Sequence, residues 1–371
     1  MPVFAALGLL ALVALPIGGA PGLAAGPSGW IVATGTMSVA RAAHTATALP
    51  DGRVLIAGGC TLDGCELGDD GATAELYDPA TGFFAGAGSL TTARVGHTAT
   101  SLPDGRVLIA GGWDRDGVVA GTEVYDPATS TFAPGPTMGS RRGGFTATPL
   151  PDGRVLVVGG FDGSRRLATA ELYDPRSAAF APTGDVGTPR SEHAAATLAD
   201  GRVLVVGGSR GDDDVLASAE VYDPATRTFS PTGEMTVVRR KHAAVPLADG
   251  RVLVVGGSDA RDGAGQYASA EVFDPATGAF SATTPMSAAR FKLPDAVTPL
   301  PTGEVLVAGG GDRAEVFDPA TEDFRITAGD LGADRAFATA TLLPDGGVLI
   351  AGGYDPTISP TAGAWLFRPD A

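Results

Sequence analysis

The sequence has 371 residues, 54 of them Gly and 28 Pro, with 18% charged and a formal net charge of −16. That balance excludes nucleic acid or an anionic membrane as the main partner, because a phosphate-binding surface needs concentrated Lys and Arg, and Lys occurs only at Lys241 and Lys292. Plentiful Gly and Pro, with no helix-period segment longer than the N-terminal apolar run, exclude a helical fold and point to short strands joined by turns.

In chain order, Val3 to Leu15 is an unbroken apolar run, followed by Pro16, a Gly pair and small residues through Ala25. This reads as a secretory signal over residues 1–25, although its first residues carry no Lys or Arg. The run is shorter than the ~20 residues that span a bilayer, so no stable membrane span is expected after cleavage. The expected location is outside the cell, secreted or at its surface, with residues 26–371 as a single domain. Asn is absent from the sequence, so no N-glycosylation sequon exists.

The stretch Leu49-Pro50-Asp51-Gly52-Arg53-Val54-Leu55-Ile56-Ala57-Gly58-Gly59 then recurs, its later copies starting their apolar run at Val107, Val155, Val203, Val252, Val305 and Val348. A period of this size denotes one closed array of units that share cores, not a string of separate domains. In the first unit His44 to Leu49 alternates as a strand, Asp51-Gly52 turns, and Arg53 to Ala57 reads as a buried second strand. The Gly pair frees the following turn from steric limits. A variable loop leads to a third strand, Ala74 to Tyr77. Asp78-Pro79-Ala80-Thr81-Gly82 suits a type I turn before a fourth strand around Phe84. Tyr77 and Phe84 have counterparts at the same spacing in the next five units, best explained as packing between blades. The last unit lacks a fourth strand, while Trp30 to Ala33 stands spare at the other end, so the N-terminal strand is expected to complete it and remove an open sheet edge.

A double Gly after an apolar strand, then Tyr and a second aromatic, seven times over, resembles the kelch β-propeller. The version with Ala-Arg, His and Leu-Pro-Asp-Gly-Arg-Val is similar to the kelch domain of galactose oxidase and its bacterial relatives, from Trp30 to Phe367. The resemblance implies an all-β, seven-bladed propeller closed by the N-terminal strand. It says little about activity, since such propellers include oxidases and protein adaptors. Oxidases of this kind place a cross-linked Cys and Tyr at first-strand entries, with further Tyr and His ligands for copper. Here those entries are Ala43-His44 and Val95-Gly96-His97, so neither a catalytic residue nor a metal or other cofactor is expected.

In such a blade the 1–2 and 3–4 turns share one rim, which is nearly uniform here, and the 2–3 loops and blade crossings share the other, which varies. Specific side chains should act on the variable rim around the channel mouth. Aromatics follow the Gly pairs at Trp113, Phe161 and Tyr354. The loops add Arg115 and Arg165, and the crossings add Phe145, Glu192, Arg240, Lys241, Phe291 and Lys292. Aromatic platforms beside Arg and Asp suit a sugar or a peptide segment.

An Arg precedes every first strand and a Glu opens six of the seven third strands, a pattern expected to form structural Arg–Glu pairs. Trp365 replaces the seventh Glu, leaving Arg335 the least paired and the best of the seven for a ligand. The candidate ligand site is therefore Trp113, Arg115, Phe145, Phe161, Arg165, Arg335 and Tyr354. All four histidines share one repeat position, which Phe145, Leu293 and Ala338 fill elsewhere, and so read as framework. Cys60 and Cys65 are expected to form a disulfide in an exported protein. The expected function is a monomeric, non-catalytic binding module for a protein or carbohydrate. The alternatives are a galactose-oxidase-like or other channel-mouth enzyme, or a structural or adhesive surface protein.

Overall fold

The computed structural model describes residues 29–370. The apolar segment read as a signal lies outside the described residues. Seven four-stranded antiparallel sheets follow one another as the blades of a propeller. Six are built from strands in sequence order, the second with a short extra hairpin, Trp113–Asp114 and Gly117–Val118, between its second and third strands. The seventh pairs its third strand, Ala364–Arg368, with Trp30–Ala33 from the start of the described chain, in the register Trp30↔Arg368 to Ala33↔Trp365. Among the described residues no helix is long and apolar enough to cross a membrane.

The local chemistry of each unit explains its strands. In the first 1–2 turn, Gly52 N–H donates to Leu49 O at 3.0 Å and Leu49 N–H to Arg53 O at 2.8 Å, while the Asp51 carboxylate accepts from Arg53 N–H at 3.0 Å. Gly52 sits at φ 89°, a conformation that penalises a Cβ. The second strand, Val54–Ala57, is fully buried, which explains its unbroken apolar run. Tyr77 stands opposite Phe84 across the third and fourth strands, ring centroids 4.9 Å apart. Tyr77 also packs with Leu349 and Ala351 of the seventh blade, and Tyr125 with Leu55 and Ala57 of the first. The aromatic pair thus brings each blade onto the one before it. Cys60 and Cys65 form a disulfide that closes the first variable loop.

The repeated Arg and Glu meet inside each of the first six blades, at 2.8 to 3.2 Å. In the third, Arg142 donates to Gly159 O at 2.6 Å, Thr169 O at 2.9 Å and Glu171 Oε1 at 2.8 Å. The second oxygen of Glu171 accepts from Gly139 N–H at 2.7 Å. One clamp therefore joins the end of the second strand, the third strand and the incoming crossing. Both side chains are buried. Removing one member of such a pair leaves an uncompensated buried charge, so Glu171→Ala should lower the unfolding free energy by ~3 to 5 kcal/mol. Asp152→Ala, at the exposed Arg154 pair, should cost below about 1 kcal/mol. Denaturation midpoints of the two variants check the contrast, and equal losses would contradict the clamp.

Candidate functional site

Two residues after each clamp Arg, the chain reaches the axis of the propeller on the loop rim. Ala43, Gly96, Gly144, Glu192, Lys241, Lys292 and Phe337 occupy this position, all with φ between 49° and 61°. Left-handed backbone costs a non-Gly residue about 1 kcal/mol or more. Here it turns each N–H toward the preceding blade. Ala43 N–H donates to Phe337 O, Gly96 to Ala43, Glu192 to Gly144, Lys241 to Glu192, Lys292 to Lys241 and Phe337 to Lys292, at 2.7 to 3.2 Å. The backbone conformation is common to all seven blades, so the side chains alone distinguish one part of the mouth from another.

The one link not formed lies between Gly96 and Gly144, and Trp113 stands there. Its backbone exchanges two hydrogen bonds of 2.9 Å with Val95, and a short hairpin pairs Trp113 with Val118. A Cβ on Gly143 would fall 2.3 Å from the indole and one on Gly96 2.9 Å from it, so the missing side chains create the ring's space. The Glu192 side chain approaches the same edge at Gly144.

The opposite part of the mouth is charged and aromatic. Lys241 Nζ donates to Asp262 Oδ1 at 2.9 Å and lies 3.6 Å from Glu192. Arg240 lies 3.4 Å from Glu192 and 3.7 Å from Asp262. Lys292 Nζ lies 3.8 Å from Asp262 and donates to Tyr354 Oη at 2.5 Å. The same ammonium is 4.7, 5.1 and 5.6 Å from the ring centroids of Phe291, Tyr354 and Phe337. Burial raises the Tyr354 pKa to about 12, so the phenol is neutral and its oxygen accepts from Lys292. Burial also lowers the Lys292 pKa, against the pull of Asp262 and Glu192. Burial would raise Asp262, but Lys241, Lys292 and Arg240 together hold its pKa below the usual carboxylate value.

Of the residues expected from the sequence, Trp113 and Tyr354 stand at the mouth. Phe145 does not: it is buried against Gly111 at the repeat position that His fills in four other blades, and it belongs to the core. Arg115 is exposed and paired with Asp69 of the neighbouring blade, and Arg165 is exposed beside Asp162. Phe161 is half-buried and carries the Arg166 guanidinium 5.1 Å from its ring centroid. Among the described residues Arg335 has no carboxylate within ion-pair distance. It donates to Leu331 O and lies 5.4 Å from the Trp365 centroid. Asp262 and Phe337 are additions. Phe337 follows from counting two residues past each clamp Arg, whereas Asp262 sits in a loop with no counterpart in the other units.

The histidines lie between blades. Nε2 of His97 is 3.0 Å from Thr45 Oγ1, that of His193 3.0 Å from Thr146 and that of His44 3.2 Å from Thr339. Ala194 stands where the other pairs have a Thr, and neither ring nitrogen of His242 has a partner in hydrogen-bond geometry among the described residues, although the Val206 backbone lies near the ring. A copper centre does not fit these residues. The histidines are turned into blade contacts, both cysteines are in the disulfide, and no three His, Cys, Asp or Glu among the described residues could together hold a metal. In the sixth blade Pro294 and Asp295 are an insertion relative to the other units. Asp295 keeps solvent exposure but is crowded by surrounding protein, and this desolvation pushes its carboxyl up to about 6. On the opposite rim, Pro103, Asp104, Pro151, Asp152, Asp174 and Arg176 line a groove of about 400 Å³. It is made of the turn residues that recur in unit after unit.

Four consecutive stretches, residues 93–139, 142–182, 189–236 and 239–287, match the family model described as Kelch motif. With the seven-bladed fold, they show that the chain belongs to the kelch-repeat β-propellers. Among solved structures, a fungal alcohol oxidase of the AA5 family in complex with copper is similar, with a TM-score of 0.69 and 20% identity over 92% of this chain and 76% of that one. At that identity the likeness is one of fold. No curated protein matches the chain.

Burial lowers the pKa of all four histidines, to about 3 for His97 and His242. Each is neutral in the fold, while the unfolded chain takes up a proton below the ordinary value near 6.5. Their contribution is therefore complete above that pH and is lost as the pH falls toward 3. His242→Leu, which copies Leu293 of the next blade, should leave stability at neutral pH within about 1 kcal/mol of the parent. It should also reduce the fall in melting temperature between pH 7 and pH 4, and an unchanged fall would show that His242 is not a source of the acid sensitivity.

Proposed function

We propose that this is an exported propeller that binds a carbohydrate at the loop-rim mouth of its channel and carries out no reaction of its own. The reading rests on the two unlike parts of the mouth: the Trp113 indole, set against glycines, and the hydrogen-bonding and charged groups of Glu192, Lys241, Asp262, Lys292 and Tyr354. A sugar presents the matching pair, an apolar C–H face for an aromatic ring and a polar edge for donors and acceptors. A peptide segment is the other ligand class that suits Trp and Arg, but its preferred anchors Arg115 and Arg165 lie on exposed outer loops with carboxylate partners of their own.

Binding is favoured over turnover because the carboxylates of the charged cluster, Glu192 and Asp262, are committed to cations. Glu192 serves Arg240 and Lys241, and Asp262 serves those two and Lys292. Asp262, its pKa held below the usual carboxylate value by these cations, is a weak base at neutral pH. Export is supported by the disulfide, which persists in oxidising compartments.

The reading is tested by probing the chain from residue 26 onward with a glycan array, beside Trp113→Ala of the same chain. Loss of an aromatic platform should weaken glycan binding about tenfold or more, at an unchanged melting temperature. Glycan binding that survives the substitution intact would place the site elsewhere, and release of a cleaved or oxidised product would replace binding by catalysis.

A further inference from the structure

The chain has only two lysines against 24 arginines, since 26 Lys and Arg less 2 Lys leaves 24, and both lysines occupy the same ring position in adjacent blades. With Arg240 they bring three cations to the mouth, where Glu192 and Asp262 supply two carboxylates. Within this ion-paired cluster three cations thus face two carboxylates, in a protein whose formal net charge is −16.

The excess is localised by the hydrogen bonds. Lys241 is satisfied directly by Asp262 at 2.9 Å. Lys292 makes one side-chain hydrogen bond, to the neutral Tyr354 oxygen, and stands 3.8 Å from Asp262. An ammonium has three N–H donors, so two of those on Lys292 have no hydrogen-bond acceptor among the described residues. The side chain retains 16% of its exposure, enough for a ligand atom to reach it. The rings of Phe291, Phe337 and Tyr354 surround it and favour the cation, but they accept none of these hydrogen bonds in ordinary geometry.

We infer that the mouth selects an acidic sugar, its carboxylate seated on Lys292 while the sugar ring lies toward Trp113. The inference rests on the carbohydrate reading of the same site. A carboxylate supplies both missing acceptors and cancels the excess charge, and a charge-assisted hydrogen bond away from bulk water is the strongest contact available there. Burial already disfavours the bare ammonium, and a bound anion relieves that penalty. A neutral sugar offers only hydroxyls to the same donors. An acidic peptide would satisfy the charge too, but a run of acidic side chains has no ring C–H face to lay on the indole.

The test is calorimetric titration of the chain from residue 26 onward, at roughly physiological ionic strength, with oligogalacturonate and with the same oligomer fully methyl-esterified. The acid form should bind about tenfold or more tightly. Lys292→Met should bring the affinity for the acid down to that for the ester, and Lys292→Arg should restore part of the preference; melting temperatures report whether each variant is folded. Equal affinities for acid and ester, still dependent on Trp113, would overturn the acid selection and leave carbohydrate binding standing. A preference that persists in folded Lys292→Met would place the carboxylate on another cation. Polyglutamate bound as tightly as the uronate, without dependence on Trp113, would overturn both readings in favour of an acidic peptide.

Discussion

The buried Arg–Glu clamp is the interaction on which the geometry of this propeller depends. A guanidinium presents donors in a rigid fork. In each of the first six blades that fork engages a carboxylate on the third strand and the carbonyl of the first Gly of the pair. The second carboxylate oxygen takes a backbone N–H from the crossing in all six. The penalty of burying two charges is offset because each clamp also satisfies backbone groups that strand pairing leaves free. The Gly pair is part of the same device: a Cβ on Gly159 would fall 2.5 Å from the Arg190 carbonyl oxygen of the next blade.

The crossings that the clamps hold also build the mouth, and the seventh, without a clamp, keeps the same backbone at Phe337. Each crossing leaves its Arg in a set direction, so the residue two places on always arrives at the axis in left-handed conformation, with its N–H aimed at its neighbour. The hydrogen-bonded ring sustains that backbone whatever the side chain. A position released from backbone demands can vary in chemistry, and here it runs from Gly through Ala and Phe to Glu and Lys. Where two glycines meet, the ring opens and Trp113 enters. Where two lysines and a glutamate are adjacent, charge accumulates.

The seventh blade shows what the clamp contributes by lacking it. Trp365 stands in place of the Glu, and Arg335 turns to the Leu331 carbonyl and the indole instead. The sequence identifies Arg335 as the unpaired member of its series. It does not reveal that the indole and a main-chain carbonyl compensate, so that the guanidinium is held within its own blade.

What the sequence determined by itself is everything set by the repeat: seven units, their strands and turns, closure by Trp30–Ala33, the Arg–Glu clamps, the framework role of the histidines and the Cys60–Cys65 bond. Each follows from local spacing, because a unit of this length repeats its hydrogen bonding wherever its residues repeat. The tertiary structure alone decided which rim residues meet. Phe145 and Trp113 are both aromatics near a Gly pair, yet one fills a core and the other stands at the mouth, since one replaces an inward-facing His and the other follows the pair into a hairpin. Asp262 and Lys292 lie in a loop and a crossing with no fixed spacing between them. Their proximity comes from closing the ring of blades, a constraint on the whole molecule that no single repeat expresses.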